Sequence, residues 1–196
     1  MSANSPSPPA DSARKRELLD AAYSWVLEHG WAGLSLRPLA EAIGSSAGVL
    51  LFLFGSKDGL IRALLERSRA EQVALLEGVR SDEAADLATA TAQVWGWLSA
   101  PKRRPLLRLW LEAYSRSVGD VAGPWQGFAA QTVADWDGLL AAHQPARRRA
   151  SATGAAERSL VLAVLRGGLL DLLATGDEAR VGRAVGLHVE ALRTAR

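Results

Sequence analysis

An all-α fold of about nine helices is what this sequence predicts, with a three-helix N-terminal head followed by a longer helical bundle. Three observations carry the prediction. Apolar residues recur at helical spacing from Leu18 to Leu192, no alternating strand pattern appears, and Gly and Pro gather at short breaks between the periodic stretches. The chain has 196 residues, 48% of them hydrophobic, enough for one or two small domains sharing a substantial core.

The elements follow in order. Met1 to Pro9 is rich in Ser and Pro and lacks the basic start and apolar segment of a leader, so residues 1–11 read as a disordered tail. Asp11 or Ser12 caps a first helix to about His29, with Leu18, Ala22, Trp25, Val26 and His29 at helical spacing and Gly30 ending it. Gly30-Trp31-Ala32-Gly33-Leu34 is a short connection in which Trp31 wedges between helices. Ser35 caps the second helix through its side-chain oxygen, Pro38 lies in its first turn, and Leu36, Leu39, Ala40 and Ile43 share a face. Gly44 stops it by taking a left-handed conformation, and Ser45 or Ser46 caps a third helix to about Leu53. Two short helices at a steep angle make a helix-turn-helix, whose second helix presents its N-terminal residues to the major groove of DNA.

Ser56 caps a fourth helix from Lys57 to about Val79, with a stripe of Leu60, Ile61, Leu64, Leu65, Gln72, Leu75, Leu76 and Val79. That stripe faces the head first and the bundle later, which makes this helix a lever between them. The implied division is a head over 12–56, a connecting helix over 57–80 and a second domain over 81–196. In the second domain the expected helices run Asp82 to Ser99, Pro105 to Ser117, Pro124 to Gln144, Ala155 to Ala174 and Glu178 to Thr194. Pro101 and Pro105 flank a basic loop, and Pro145 to Gly154, with Arg147, Arg148 and Arg149, reads as an exposed mobile loop.

Composition narrows the function classes. There is no cysteine, which leaves neither disulfides nor thiolate metal sites, and no apolar run approaches the roughly 18 residues of a membrane span. A soluble cytoplasmic protein without membrane contact is expected. His29, His143 and His188 fall in separate elements without metal-ligand spacing, and Asp135 and Asp137 diverge on a helix, so no catalytic site, metal site or cofactor is expected. Net charge is +2, and residues 1–60 carry five Lys/Arg against six Asp/Glu. Any DNA contact therefore rests on local placement, with Arg14, Lys15 and Arg16 at the start of the first helix and Arg37 and Lys57 beside the third.

The run Leu39-Ala40-Glu41-Ala42-Ile43-Gly44, then Ser46 and Gly48, then Phe54-Gly55-Ser56-Lys57-Asp58-Gly59-Leu60, resembles the N-terminal domain of the TetR family of transcriptional repressors. The resemblance covers Ser12 to Leu65. It implies a recognition helix from Ser45 to Phe52, with Arg37, Ser45, Ser46, Ala47, Val49 and Phe52 facing the groove or its phosphates and Lys57 clamping the backbone. Where the family commonly has a tyrosine and a histidine near the end of this helix, Leu51 (or Phe52, if the aromatic has moved by one) and Leu53 stand here.

Two further expectations concern the second domain. Trp95, Trp97, Trp110, Tyr114, Trp125, Phe128 and Trp136 fall on three consecutive helices. Of these, Trp95, Trp110, Tyr114, Trp125, Phe128 and Trp136 are expected to line a pocket for a small hydrophobic or aromatic effector, with Glu112, Arg116, Gln131 or Asp135 as polar anchors. Ordinary core packing is the competing reading for each. Leu160 to Leu173 is nearly all apolar but holds Gly167 and Gly168, which cost a helix about 1 kcal/mol each and so imply close approach of another helix. With Val181, Val185, His188, Val189 and Leu192 this resembles the family's C-terminal dimer contact, which would set two reading helices on a pseudo-palindromic double-stranded operator. The expectation is a ligand-responsive, homodimeric repressor. The alternative is a helical binding protein for hydrophobic small molecules or a protein partner, with weak or lost DNA affinity.

Overall fold

The computed structural model describes residues 10–80, 86–119 and 122–194, and over these it is helical throughout. The order is α1 (Ala10–His29), α2 (Leu36–Ala42), α3 (Ala47–Phe54), α4 (Lys57–Arg80), α5 (Leu87–Ser99), a 3₁₀ turn (Pro101–Arg103), α6 (Arg104–Gly119), α7 (Phe128–Ala142), α8 (Ala146–Arg149), α9 (Ala152–Thr175) and α10 (Glu178–Thr194). Among the described residues no single helix is long and apolar enough to cross a membrane. The expected tail over 1–9, the start of the fifth helix at Asp82, and the side chains of Asp11, Ser12, Leu75, Leu76 and Val79 lie outside the described residues.

Leu18, Ala22 and Val26 of α1, Leu39 of α2, Leu50 of α3, and Leu60 and Leu64 of α4 are fully buried together and form the core of the head. Helix α4 then continues into the body, where it packs on α5 and α7. Two ion pairs mark its two halves. Arg67 donates to Asp20 of α1 (2.9 Å), and Arg69 grips Asp135 of α7 with two bonds (2.6 and 2.8 Å). Beside the first, burial pushes the Tyr23 hydroxyl above its ordinary range, and the Arg67 guanidinium lies over the Tyr23 ring.

Three expectations are corrected by the body. The third body helix begins at Phe128, not Pro124, because Gly127 takes a left-handed φ of 80° and turns the chain before it. The basic segment Pro145 to Gly154 is not a mobile loop. Its residues 146–149 form α8, and Ser151 caps α9 by accepting from the Gly154 N–H (3.0 Å), so α9 starts at Ala152. A buried arginine organises this corner, with Arg158 donating to Asp137 of α7 (2.8 Å) and to Gln144 (2.7 Å), while Arg148 pairs with Glu157 and holds its carboxyl below the ordinary range. The helices pack so tightly that a Cβ at Gly154 would lie 1.9 Å from the Arg148 carbonyl oxygen. Among the described residues there are ten α-helices, in keeping with the expected all-α fold of about nine.

The glycine pair of α9 divides. A Cβ at Gly168 would meet Val185 at 3.0 Å and Trp95 at 3.1 Å, so its close neighbours are α10 and α5 of the same chain. Gly167 has nothing within 4 Å. The turn from α9 to α10 is closed by Arg180, which donates twice to Asp171 (2.8 and 2.6 Å) and holds that carboxyl below its ordinary range.

Candidate nucleic-acid interface and effector cavity

The reading head is built from its turns. Gly44 takes a φ of 65°, which brings the Ser45 N–H back to the Ala40 carbonyl (2.8 Å) and bends α3 by 104° from α2. Ser46 caps α3, accepting from the Val49 N–H (3.2 Å). Ser35 is the N-cap of α2 in extended conformation, but its side chain makes no capping bond. Pro38, at the third position of that helix, has no N–H to give, which removes one of the two donors such a cap uses. At the far end Gly55 turns the chain with a φ of 78° and Ser56 accepts from the Gly59 N–H (2.9 Å), starting α4 directly under the end of α3.

This arrangement leaves one face of α3 uncovered. Leu50 is fully buried and Phe54 nearly so, while Val49 is 39%, Leu51 41% and Phe52 78% exposed. Ser46 and Gly48 are exposed too, and Ala47 is half-buried. Ser45 departs from expectation, since its hydroxyl oxygen is buried in the turn rather than presented outward. Leu51 shares the open face, although the sequence reading singled it out only for the tyrosine it replaces. From Ala47 to Phe54 no side chain carries a hydrogen-bonding group.

Polar groups surround that apolar face. Arg37 and Lys57 are exposed, and neither has an ion-pair or hydrogen-bond partner among the described residues. Lys15 of α1 reaches over the Phe54 ring, its ammonium 5.2 Å from the ring centre, while Arg14 is held by Glu17 (2.8 Å). Unpaired cations beside an open helix can take phosphates, which supply most of the affinity in protein–DNA contacts, and apolar side chains can meet the methyl group of thymine in the major groove.

In the body, α4, α5, α6, α7 and α9 enclose an apolar cavity of about 20 Å³, room for about one water. Trp97, Trp110, Trp136, Leu107, Leu165 and Arg166 are among its walls, with Gln72 and Thr132. Two of the expected aromatics, Trp110 and Trp136, line it. Tyr114 stands one turn along from Trp110, the ring centres 5.0 Å apart, and carries the Arg166 guanidinium at 5.8 Å, but is not itself a wall. Trp95 faces the opposite way, onto Gly168 and Gly182, since two residues along a helix point to different sides; Trp97 takes its place in the cavity.

Trp125 and Phe128 serve elsewhere. Trp125 meets Trp31 edge to face (4.9 Å between centres) where head and body join, and Arg116 lies over its other face at 5.1 Å. Phe128 and Gln131 line an open, polar groove with Arg62, Glu66 and Arg69 of α4. Of the other anchors, Asp135 is engaged by Arg69. Glu112 accepts from Arg116 (3.0 Å) and from the Trp31 backbone N–H (3.1 Å). The Trp31 indole donates to the Leu109 carbonyl (2.9 Å), so this side chain, 3% exposed, ties the α1–α2 connection to α6.

Comparison with known proteins places these features. The family model described as bacterial regulatory proteins, tetR family, matches residues 18–64. The chain is 28% identical over 169 residues to the HTH-type transcriptional repressor Rv1474c of Mycobacterium tuberculosis, covering 85% of this chain and 86% of that one. It is 36% identical over 59 residues to the HTH-type transcriptional repressor AcnR of Corynebacterium diphtheriae, an alignment spanning 30% of this chain and only 31% of AcnR. Among solved structures, the multidrug binding protein EbrR complexed with imidazole matches with a TM-score of 0.68 at 26% identity over 95% of both chains.

Proposed function

We propose that this chain, whose residues 18–64 match the model of bacterial regulatory proteins, tetR family, is a member of that family and a cytoplasmic, non-enzymatic repressor that holds a pseudo-palindromic operator as a homodimer and releases it when a small apolar effector enters the body. The observation that carries this reading is the uncovered face of α3, with Phe52 78% exposed, while Arg37 of α2 and Lys57 of α4 are exposed and have no partner among the described residues. Ala47, Val49, Leu51 and Phe52 enter the major groove and read thymine methyl groups, since they have no hydrogen bonds to offer. Ser46, Arg37, Lys15 and Lys57 hold phosphates and set the register.

A second copy seats on α9 and α10. Leu160 is 55%, Leu170 48% and Leu187 74% exposed, and a Cβ at Gly167 or Gly186 would meet nothing within 4 Å, so another pair of helices can approach closely there. A two-fold pair presents the two α3 helices to successive turns of one groove. Effector entry between α4, α5, α6, α7 and α9 moves α4 and the α6 contact with Trp31, and both lead to the head. For release to follow, the effector must bind the DNA-free arrangement more tightly than the DNA-bound one.

Mobility shifts on fragments flanking the protein's own gene, over a salt series, test the reading. Binding that weakens steeply with salt is expected, and Lys57→Ala lowers affinity about tenfold and flattens the salt slope by about one phosphate per protomer. Indifference to every fragment would instead support a helical binding protein without useful DNA affinity.

A further inference from the structure

We infer that Phe54 is a positioning residue for operator binding: its ring seats the Lys15 ammonium beside the last turn of α3, so that the first helix delivers a phosphate clamp which that end of α3 cannot supply. The inference rests on the DNA reading above. Phosphates line the groove that a reading helix enters, and they take the larger share of the hydrogen bonds in protein–DNA contacts. From Ala47 to Phe54 no side chain carries a hydrogen-bonding group, so the second half of α3 has nothing with which to hold one. A cation for that end has to come from another element. Lys15 of α1 is exposed, and its ammonium lies 5.2 Å from the centre of the Phe54 ring.

The seat belongs to this lysine and is fixed in place. Lys15 stands at helical spacing before Leu18, Ala22 and Val26, which are fully buried, so its side chain leaves α1 on the packed side and reaches Phe54. Its neighbour Arg14 is bound by Glu17 (2.8 Å), whereas Lys15 has no carboxylate partner among the described residues. The ring is held from several directions. Phe54 is 9% exposed, the Gly55 N–H closes the end of α3 on the Leu51 carbonyl (2.8 Å), and Gly59 of α4 lies so close that a Cβ there would stand 2.0 Å from the Phe54 carbonyl oxygen. A cation within about 6 Å of an aromatic face is attracted by the ring's quadrupole. The ring accepts no ordinary hydrogen bond, so the ammonium keeps its N–H donors for a phosphate. A lysine on a bare helix surface gives up its rotamer freedom when it binds; over a fixed ring, part of that freedom is already gone, and the contact with DNA is correspondingly tighter.

The test is a double-mutant cycle on the full-length protein, read as operator affinity over a salt series. Lys15→Ala is expected to lower affinity about tenfold and to flatten the salt slope by about one phosphate per protomer. Phe54→Leu, which keeps an apolar side chain and removes the ring, lowers affinity about threefold and leaves the slope unchanged, because the cation is still present but no longer held. In the Lys15→Ala background the same Phe54→Leu change costs less than about twofold, and Lys15→Arg, whose cation also stacks on a ring, stays within about twofold of the unsubstituted protein. A second measurement needs neither DNA nor a substituted core. Lys15, Lys57 and Lys102 are the only lysines, so a lysine-labelled sample gives few side-chain signals, and the Lys15 Hε signal is expected upfield of the other two through the ring current of Phe54. Absence of that shift overturns the seat, including the case where Phe54→Leu fails to fold. An equal cost of Phe54→Leu with and without Lys15 reduces the ring to packing and overturns the positioning role. Unchanged affinity and slope in Lys15→Ala overturns the clamp and leaves α3 reading DNA without it, whereas an unsubstituted protein that binds no operator overturns the DNA reading and this inference together.

Discussion

Replacing Trp31 by alanine is expected to cost the fold about 3–5 kcal/mol, the range for removing a fully buried tryptophan, and to disconnect the head from the body. Three interactions vanish together: the packing of a side chain 3% exposed, the edge-to-face contact with Trp125, and the indole hydrogen bond to the Leu109 carbonyl. Trp31→Phe separates them. It keeps most of the packing and loses the hydrogen bond, about 1 kcal/mol. Urea denaturation measures both costs, and operator binding with and without effector measures the coupling. In Trp31→Phe the effector is expected to dislodge DNA less completely at the same occupancy. An unchanged denaturation midpoint in Trp31→Ala would mean that the α1–α2 connection does not bear on the body.

The second large effect comes from the smallest side chain. Gly59 lies in the first turn of α4, where ordinary helix propensity would reward alanine by about 1 kcal/mol. A Cβ there, however, would stand 2.0 Å from the carbonyl oxygen of Phe54 and 3.2 Å from its carbon. Backbone cannot turn aside as a flexible side chain can, so α3 and α4 must separate. Gly59→Ala is therefore expected to destabilise by about 1–3 kcal/mol and to abolish operator binding, because the end of α3 shifts with it. Gly96→Ala supplies the contrast. Gly96 is exposed within α5 and a Cβ there meets nothing within 4 Å, so propensity alone acts and stability rises by about 0.5–1 kcal/mol. Thermal melts of the two variants moving in opposite directions is the predicted result; both rising would show that the α3–α4 crossing has slack.

The head was legible in the sequence because its information is local. Gly44, Ser46, Gly55 and Ser56 each act within four residues, through φ angles and capping bonds that those residue types favour, and the structure has them in these roles. Ser35 shows the limit. Its residue type is right for a cap, but Pro38 three positions on has no N–H to bind it, and the side chain makes no capping bond. In the body, helical spacing identified the apolar helices but not which neighbour each aromatic meets. Trp95 and Trp97 lie on different sides of α5, and both sides are packed, so period cannot choose between them. The signal that could have chosen is a pair of distant glycines, Gly168 and Gly182, which leave the space Trp95 fills. Helix α8 is set by a contact distant in sequence, since Arg158 of α9 gathers Asp137 and Gln144 around it, and the Arg147 to Arg149 run carries no local sign of that.

The central claim is that the bare, apolar face of α3 enters the major groove. The most direct measurement compares an operator fragment bound in the mobility-shift series with the same fragment in which deoxyuridine replaces every thymidine, a change that removes only the 5-methyl groups. Each methyl buried against Val49, Leu51 or Phe52 contributes about 0.8 kcal/mol, roughly fourfold, so several such contacts weaken binding by at least about tenfold with little change in salt slope. Equal affinity for the two fragments, or no affinity for either, would contradict the account.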